Sequence, residues 1–182
     1  MFQPIKRLAL SNRRIVFYCY SYANHLYNLF LNVLPPLIRQ IFLKLSLRKF
    51  GPNSLIDYGS FFRYPKKVKI GKNVEINRGF QVYPSFIDER HVVLIEDNVI
   101  IGPNVTLFGA GQLIDKNQVL DVSGDIIIRN GAYIGGNSII RYGVEIGERS
   151  VVAAGSVVVK DVPTRYVVGG NPAKPLRSIP KF

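Results

Sequence analysis

Two histidines, His25 and His91, are the only imidazoles in the 182 residues. An imidazole is the side chain best matched to taking a proton from a hydroxyl near neutral pH. His91 follows Asp88 and Glu89, carboxylates near enough in sequence to orient its ring as in histidine-based catalysis. The competing reading of His91 is a surface residue on the insertion 83–94. His25 stands with Ser21, Asn24, Asn28 and Asn32, spaced to stack on one face of a helix, and reads as part of that polar stripe. Asp115, Asp121 and Asp125 share the segment 107–125 and are weaker bases, because a carboxylate at its ordinary pKa draws a hydroxyl proton poorly unless burial raises it.

Cofactor chemistry is narrowed by composition. Cys19 is the single cysteine, which excludes an internal disulfide, a cysteine-rich zinc site and a CxxC redox pair. Two histidines cannot supply a three-histidine zinc site, so no metal is expected. A reducing, cytoplasmic setting fits. Gly109-Ala110-Gly111 lacks both the Lys-Ser/Thr of a phosphate loop and a following helix pattern. The remaining chemistry is cationic: 24 Lys and Arg against 12 Asp and Glu give a net charge of +12. Eight of those cations (Lys6, Arg7, Arg13, Arg14, Arg39, Lys44, Arg48 and Lys49) precede residue 50, and no acid precedes Asp57. Nucleic acid ranks last as a partner, since no binding motif or one-sided basic stripe marks the rest of the chain. An anionic membrane and a phosphorylated small molecule remain.

The elements that must position these groups fall into two parts. Residues 1–50 form a basic, aromatic segment. Its stretch Ile15–Ile38 carries no charged residue, Pro35-Pro36 breaks it, and a second amphipathic stretch places Ile38, Ile41, Phe42 and Leu45 opposite Gln40, Lys44 and Arg48. This segment fits a helix pair lying at the inner face of a membrane, or one capping the main domain or a neighbouring subunit. Residues 51–178 follow another rhythm. Ile128, Ile134, Ile140, Ile146, Val152 and Val158 recur every sixth residue, with Ala132, Ser138, Val144, Ser150, Ser156 and Val162 four positions after each. Ile70/Val74, Ile76/Phe80, Ile95/Val99 and Ile101/Val105 repeat the pair. A period of six fits neither a helix nor a flat strand. It predicts triangular coils with one short parallel strand per side, apolar anchors inward, and glycines such as Gly71, Gly102, Gly135 and Gly147 in the tight backbone. The segment 107–125 reads as an inserted loop, and 179–182 as a tail.

The pattern [Ile/Leu/Val]-Gly-x-x-[small]-x resembles the hexapeptide-repeat, left-handed parallel β-helix. The C-terminal run from Val151 to Gly169-Gly170-Asn171-Pro172-Ala173-Lys174 is similar to the closing coil of the sugar O-acetyltransferases, the group that includes maltose, galactoside, nodulation, capsule and O-antigen acetyltransferases. The resemblance spans about residues 67–178. It implies an all-β repeat domain behind a helical segment, a homotrimer, acetyl-CoA in the groove between two β-helices, and transfer of acetyl to a hydroxyl of a sugar or lipid-linked glycan precursor.

Carried over by motif, the implied CoA contacts are Gly136, Ala154, Val159, Lys160, Lys174 and Arg177, with Val159 standing where the family has Thr. Lys and Arg suit the pyrophosphate and 3′-phosphate of CoA. Asn77, after anchor Ile76, falls where the family places an acceptor-binding Asn. The family's base is a loop histidine, and segment 107–125 has none. His91 lies one position from where the serine acetyltransferase branch sets its histidine. Three outcomes stay open: His91 as base, an aspartate of the loop as base, or a β-helix scaffold of polysaccharide assembly that binds without turnover.

Overall fold

The computed structural model describes residues 11–86, 88–115 and 118–180, with side chains from Ile15 onward and without that of Asp115. Lys6, Arg7 and the side chains of Arg13, Arg14 and Asp115 thus lie outside the described residues. Two helices, α1 (Ser11–Val33) and α2 (Pro36–Ser46), precede a three-faced coil, and the Pro35-Pro36 break falls where expected, with Pro36 opening α2.

Face I stacks Lys49–Phe50, Val68–Ile70, Val93–Ile95, Ile126–Ile128 and Val144–Ile146 in parallel. Face II stacks Leu55–Ile56, Glu75–Ile76, Ile100–Ile101, Tyr133–Ile134, Val151–Val152 and Tyr166–Gly170, and Ala173–Ser178 closes it antiparallel. Face III stacks Phe61–Phe62, Gln81–Tyr83, Thr106–Phe108, Ile139–Arg141 and Val157–Val158. The chain visits the faces in order, so each hexad is one side of a parallel β-helix, as the period predicts.

Both sequence rows point inward. The anchors Ile70, Ile95, Ile101, Ile128, Ile134, Ile140 and Ile146 are fully buried, as are Val74, Val99, Val105, Ser138, Ser150 and Ser156 four positions on. Removing such a buried isoleucine to Ala costs about 2–5 kcal/mol. The buried serines do not strand their hydroxyls: Ser138 donates to the Ala153 carbonyl at 3.1 Å and Ser150 to that of Gly147 at 2.6 Å.

The glycines do a different job from the one expected. The left-handed backbone sits three residues after each anchor, at Asn53, Asn73, Asn98, Gly131, Arg149 and Arg165 on the I/II corner and at Gly59, Gly79, Asn104, Asn137 and Gly155 on the II/III corner. Gly102 and Gly135 instead face the next coil: an added β-carbon would lie 2.5 Å from the Gly136 nitrogen and 2.5 Å from the Ala154 nitrogen, respectively. They are required by close approach of coils.

The III/I corner is irregular. It carries the turn Pro65–Lys67, the insertion 84–92, and a hairpin of Ala110–Asp115 with Gln118–Ser123 where the sequence reads as a loop.

The helices cover the first coil with their polar stripe. Asn24 donates to the Phe62 carbonyl (3.2 Å), the Phe62 and Gly59 amides donate to Asn28 and Asn32, and the buried Arg39 donates to the carbonyls of Ile56 and Asp57 while lying 4.7 Å over the Tyr58 ring. An uncovered edge coil would leave these backbone groups unpaired. Arg39, counted above among the cations of a basic segment, therefore faces inward, and burial lowers its pKa. His25 is exposed on α1.

Candidate active site

The III/I corner gathers the one histidine that the repeat domain contains and its carboxylates. His91 sits where the 84–92 insertion re-enters face I, with Nδ1 at 3.4 Å from an Asp125 oxygen and Nε2 at 3.6 Å from an Asp88 oxygen. Asp88 is buried, and its carboxylate takes three side-chain bonds and one backbone bond from Arg90. Those bonds hold the carboxyl far below the usual carboxylate range. Lys67 ties the same turn down by donating to the Ser85 and Asp88 carbonyls, both at 2.7 Å, and burial lowers its pKa. Asp125 accepts from the Val92 amide at 2.7 Å, linking the insertion to the base of the hairpin. The carboxylates beside His91 are thus Asp88 and Asp125. Of the loop aspartates, Asp121 accepts from Gln112 at 3.1 Å across the hairpin.

The same corner holds a cleft of about 500 Å³ bounded by α1, three coils of face III and the hairpin; His91, Asp88 and Asp125 do not line it. Its walls are aromatic. Tyr64 and Phe86 stack at 5.9 Å, Tyr83 and Phe108 at 5.5 Å, and Phe17 meets Phe86 edge to face at 5.8 Å. Arg63 lies 4.7 Å over Phe17, and Gln112 and Asp121 line the hairpin side. Burial raises the Tyr64 phenol's pKa, so it stays protonated in neutral solution. The sequence reading did not single out this cleft. The signal was present: Arg63, Tyr83 and Phe108 each directly follow a face III anchor, a coincidence visible only once the hexad phase is carried through the insertions.

The other candidates stand elsewhere on the prism. Gly136 and Ala154 stack between Pro103 and Gly170 on the II/III corner, beside the paired side chains of Asn104 and Asn137. Val159 and Lys160 follow the last strand of face III, on the III/I corner two coils above the hairpin. Lys174 and Arg177 are exposed on the closing strand of face II. Asn77, also on the II/III corner, donates to the Ile101 carbonyl at 2.9 Å and lines a separate cleft of about 320 Å³ with Arg39, Asp57 and Glu75. One chain does not bring Asn77, Gly136 or Ala154 to His91: they sit on opposite corners, a full face apart. Six residues of near-extended chain span roughly 20 Å.

Residues 125–160 match the family described as Bacterial transferase hexapeptide (six repeats). Over 145 residues the chain is 34% identical to galactoside O-acetyltransferase of Escherichia coli (strain K12), covering 78% of this chain and 68% of that protein. The chain belongs to the hexapeptide-repeat acyltransferases. Its coil is therefore the left-handed β-helix of that family. The structure of VCA0836, a hexapeptide-repeat acetyltransferase from Vibrio cholerae O1 biovar eltor complexed with acetyl-CoA, superposes with a TM-score of 0.80 at 28% identity, covering 100% of this chain and 97% of that one. A Saccharomyces cerevisiae relative, YJL218W, is 38% identical over 130 residues, which span 70% of this chain and 64% of the yeast protein. The described residues hold no group of acidic, histidine or cysteine side chains able to bind a metal.

Proposed function

We propose that the protein is an acetyl-CoA-dependent O-acetyltransferase acting on a hydroxyl of a sugar or lipid-linked glycan precursor. The placement of His91 carries this reading: it is an imidazole flanked by Asp125 and Asp88 at the foot of the hairpin, on the corner that also carries the aromatic cleft. The family also contains a sugar acetyltransferase and an acetyl-CoA complex. In this proposal Nδ1, on the Asp125 side, carries the proton and Nε2 accepts one. Asp88 competes weakly for Nε2, because Arg90 already engages both of its oxygens.

In the proposed reaction Nε2 takes the acceptor hydroxyl proton as that oxygen attacks the thioester carbonyl. The tetrahedral oxyanion collapses, the C–S bond breaks, and the imidazolium returns its proton to the departing CoA thiolate. The ring faces of Tyr64, Tyr83, Phe86 and Phe108 suit a pyranose, and Arg63 and Gln112 suit its hydroxyls. Gly136, Ala154, Val159, Lys160, Lys174 and Arg177 hold CoA, and Asn77 contacts the acceptor. Because these residues occupy two corners, the working unit in this proposal is a homotrimer with each site shared by two subunits. It works on the cytoplasmic side, at the inner face of the membrane.

The test is acetyl transfer by wild type, His91→Ala and His91→Gln. Loss of turnover with acetyl-CoA affinity unchanged supports the base; full activity removes it. A second reading, a non-catalytic β-helix binding protein, is favoured by the hairpin: among its described side chains there is no histidine, and Gln112 pairs with Asp121. CoA binding without transfer to any glycan acceptor would select it.

A further inference from the structure

We propose that the outward face of α1 and α2 seats on an anionic lipid surface, lying on the bilayer rather than crossing it. The helices are apolar on both sides: Leu31 and Leu43 join the core, and the polar groups that face inward are used up there. Asn24, Asn28, Asn32 and Arg39 are consumed by backbone groups of the first coil, and what faces away from the domain is apolar. Along α1, Ile15, Tyr18, Tyr22, Leu26, Leu29 and Val33 recur every three or four residues and are exposed, Val33 at 79%. Leu37, Ile41 and Leu45 continue the face on α2, at 83%, 59% and 68%. A contiguous apolar surface of this extent marks an interaction face. No described helix is long and apolar enough to cross a membrane.

Charge selects the occupant. Lys44, Arg48 and Lys49 are exposed at the end of α2 and just beyond it, and no acid precedes Asp57 anywhere in the chain. An isologous contact with a second copy would set these cations against their own kind with no acid of the segment to pair them; a heterologous contact with a neighbouring subunit is the alternative that the molar mass of the variant below decides. An anionic leaflet supplies the opposite charge and an apolar interior together, and exposed tyrosines suit its boundary. This inference deepens the membrane placement proposed above and does not depend on which residue is the base.

The test is flotation of the full chain with vesicles of phosphatidylcholine alone or with roughly a third phosphatidylglycerol, at about 0.1 and about 0.5 M salt. The wild type is expected to float with the anionic vesicles and to detach at the higher salt. Leu29→Asp/Val33→Asp should lower partitioning by about 100-fold or more, and Lys44→Gln/Arg48→Gln by roughly 30-fold. Both should keep the wild-type circular dichroism and molar mass. Failure of the wild type to float, equal flotation of the Asp variant, or loss of subunits by that variant would each overturn the proposal, the last by showing that a second copy covers the face.

Discussion

The two corners that border face III are built by opposite rules. The II/III corner repeats almost without change: a left-handed residue at Gly59, Gly79, Asn104, Asn137 and Gly155, and glycines at 102 and 135 pressed against the next coil. The III/I corner has one left-handed residue among those described, Gly143, and carries a 3₁₀ turn, an insertion and a hairpin. Strict coil-to-coil spacing packs backbone against backbone on the first corner, at Gly102 and Gly135. Relaxed spacing at the second makes room for the aromatic cleft and the His91 clasp. A prism can bring two such corners together only by setting one subunit beside another.

The largest effect that would break this contrast is catalytic. His91→Ala is expected to lower kcat by about 10²–10⁴-fold with KM for acetyl-CoA unmoved, measured with a glycan acceptor. Ala154→Trp on the regular corner should do the reverse and raise chiefly that KM. Stability comes next. Gly102→Ala forces a β-carbon into the Gly136 backbone and is expected to cost about 2–4 kcal/mol, whereas Gly155→Ala meets open space and should cost only the left-handed backbone, about 1 kcal/mol. Urea midpoints distinguish the two.

Smaller effects sharpen the roles of charge. Lys174→Ala and Arg177→Ala should each raise KM for acetyl-CoA by about fivefold to tenfold, and less at high salt. The smallest is acid stability. The Asp88 carboxyl is depressed in the fold by Arg90, so its stabilising contribution is complete above its unfolded pKa of roughly 3.9. That contribution is lost only as pH falls through the lower folded value. Arg90→Gln should therefore start the acid loss nearer pH 4, followed by circular dichroism on titration.

The coil was legible in the sequence because its cause is strictly periodic: an inward anchor every sixth residue and a small or branched side chain four later leave few alternatives. The corner chemistry was less legible. Asn24, Asn28 and Asn32 share a helix face in either environment, and periodicity cannot say whether that face meets water or the unpaired backbone of a first coil. Arg39 reads as one cation among eight until the carbonyls of Ile56 and Asp57 claim it. His91 and Asp125 are separated by one full coil and the hairpin, so only coil stacking brings them within 3.4 Å. The cleft residues Tyr64, Tyr83, Phe86 and Phe108 were hidden by insertions that interrupt the count of six.

The most direct test of a site shared between subunits mixes two disabled chains. His91→Ala damages the elaborated corner and Ala154→Trp, assayed below its raised KM, the regular one. In trimers formed from equal amounts of both, each interface has roughly one chance in four of joining two intact halves. Recovery of about a quarter of wild-type acetyl transfer is the predicted result. Mixed trimers that remain as inactive as either parent would show that both halves of each site come from a single chain.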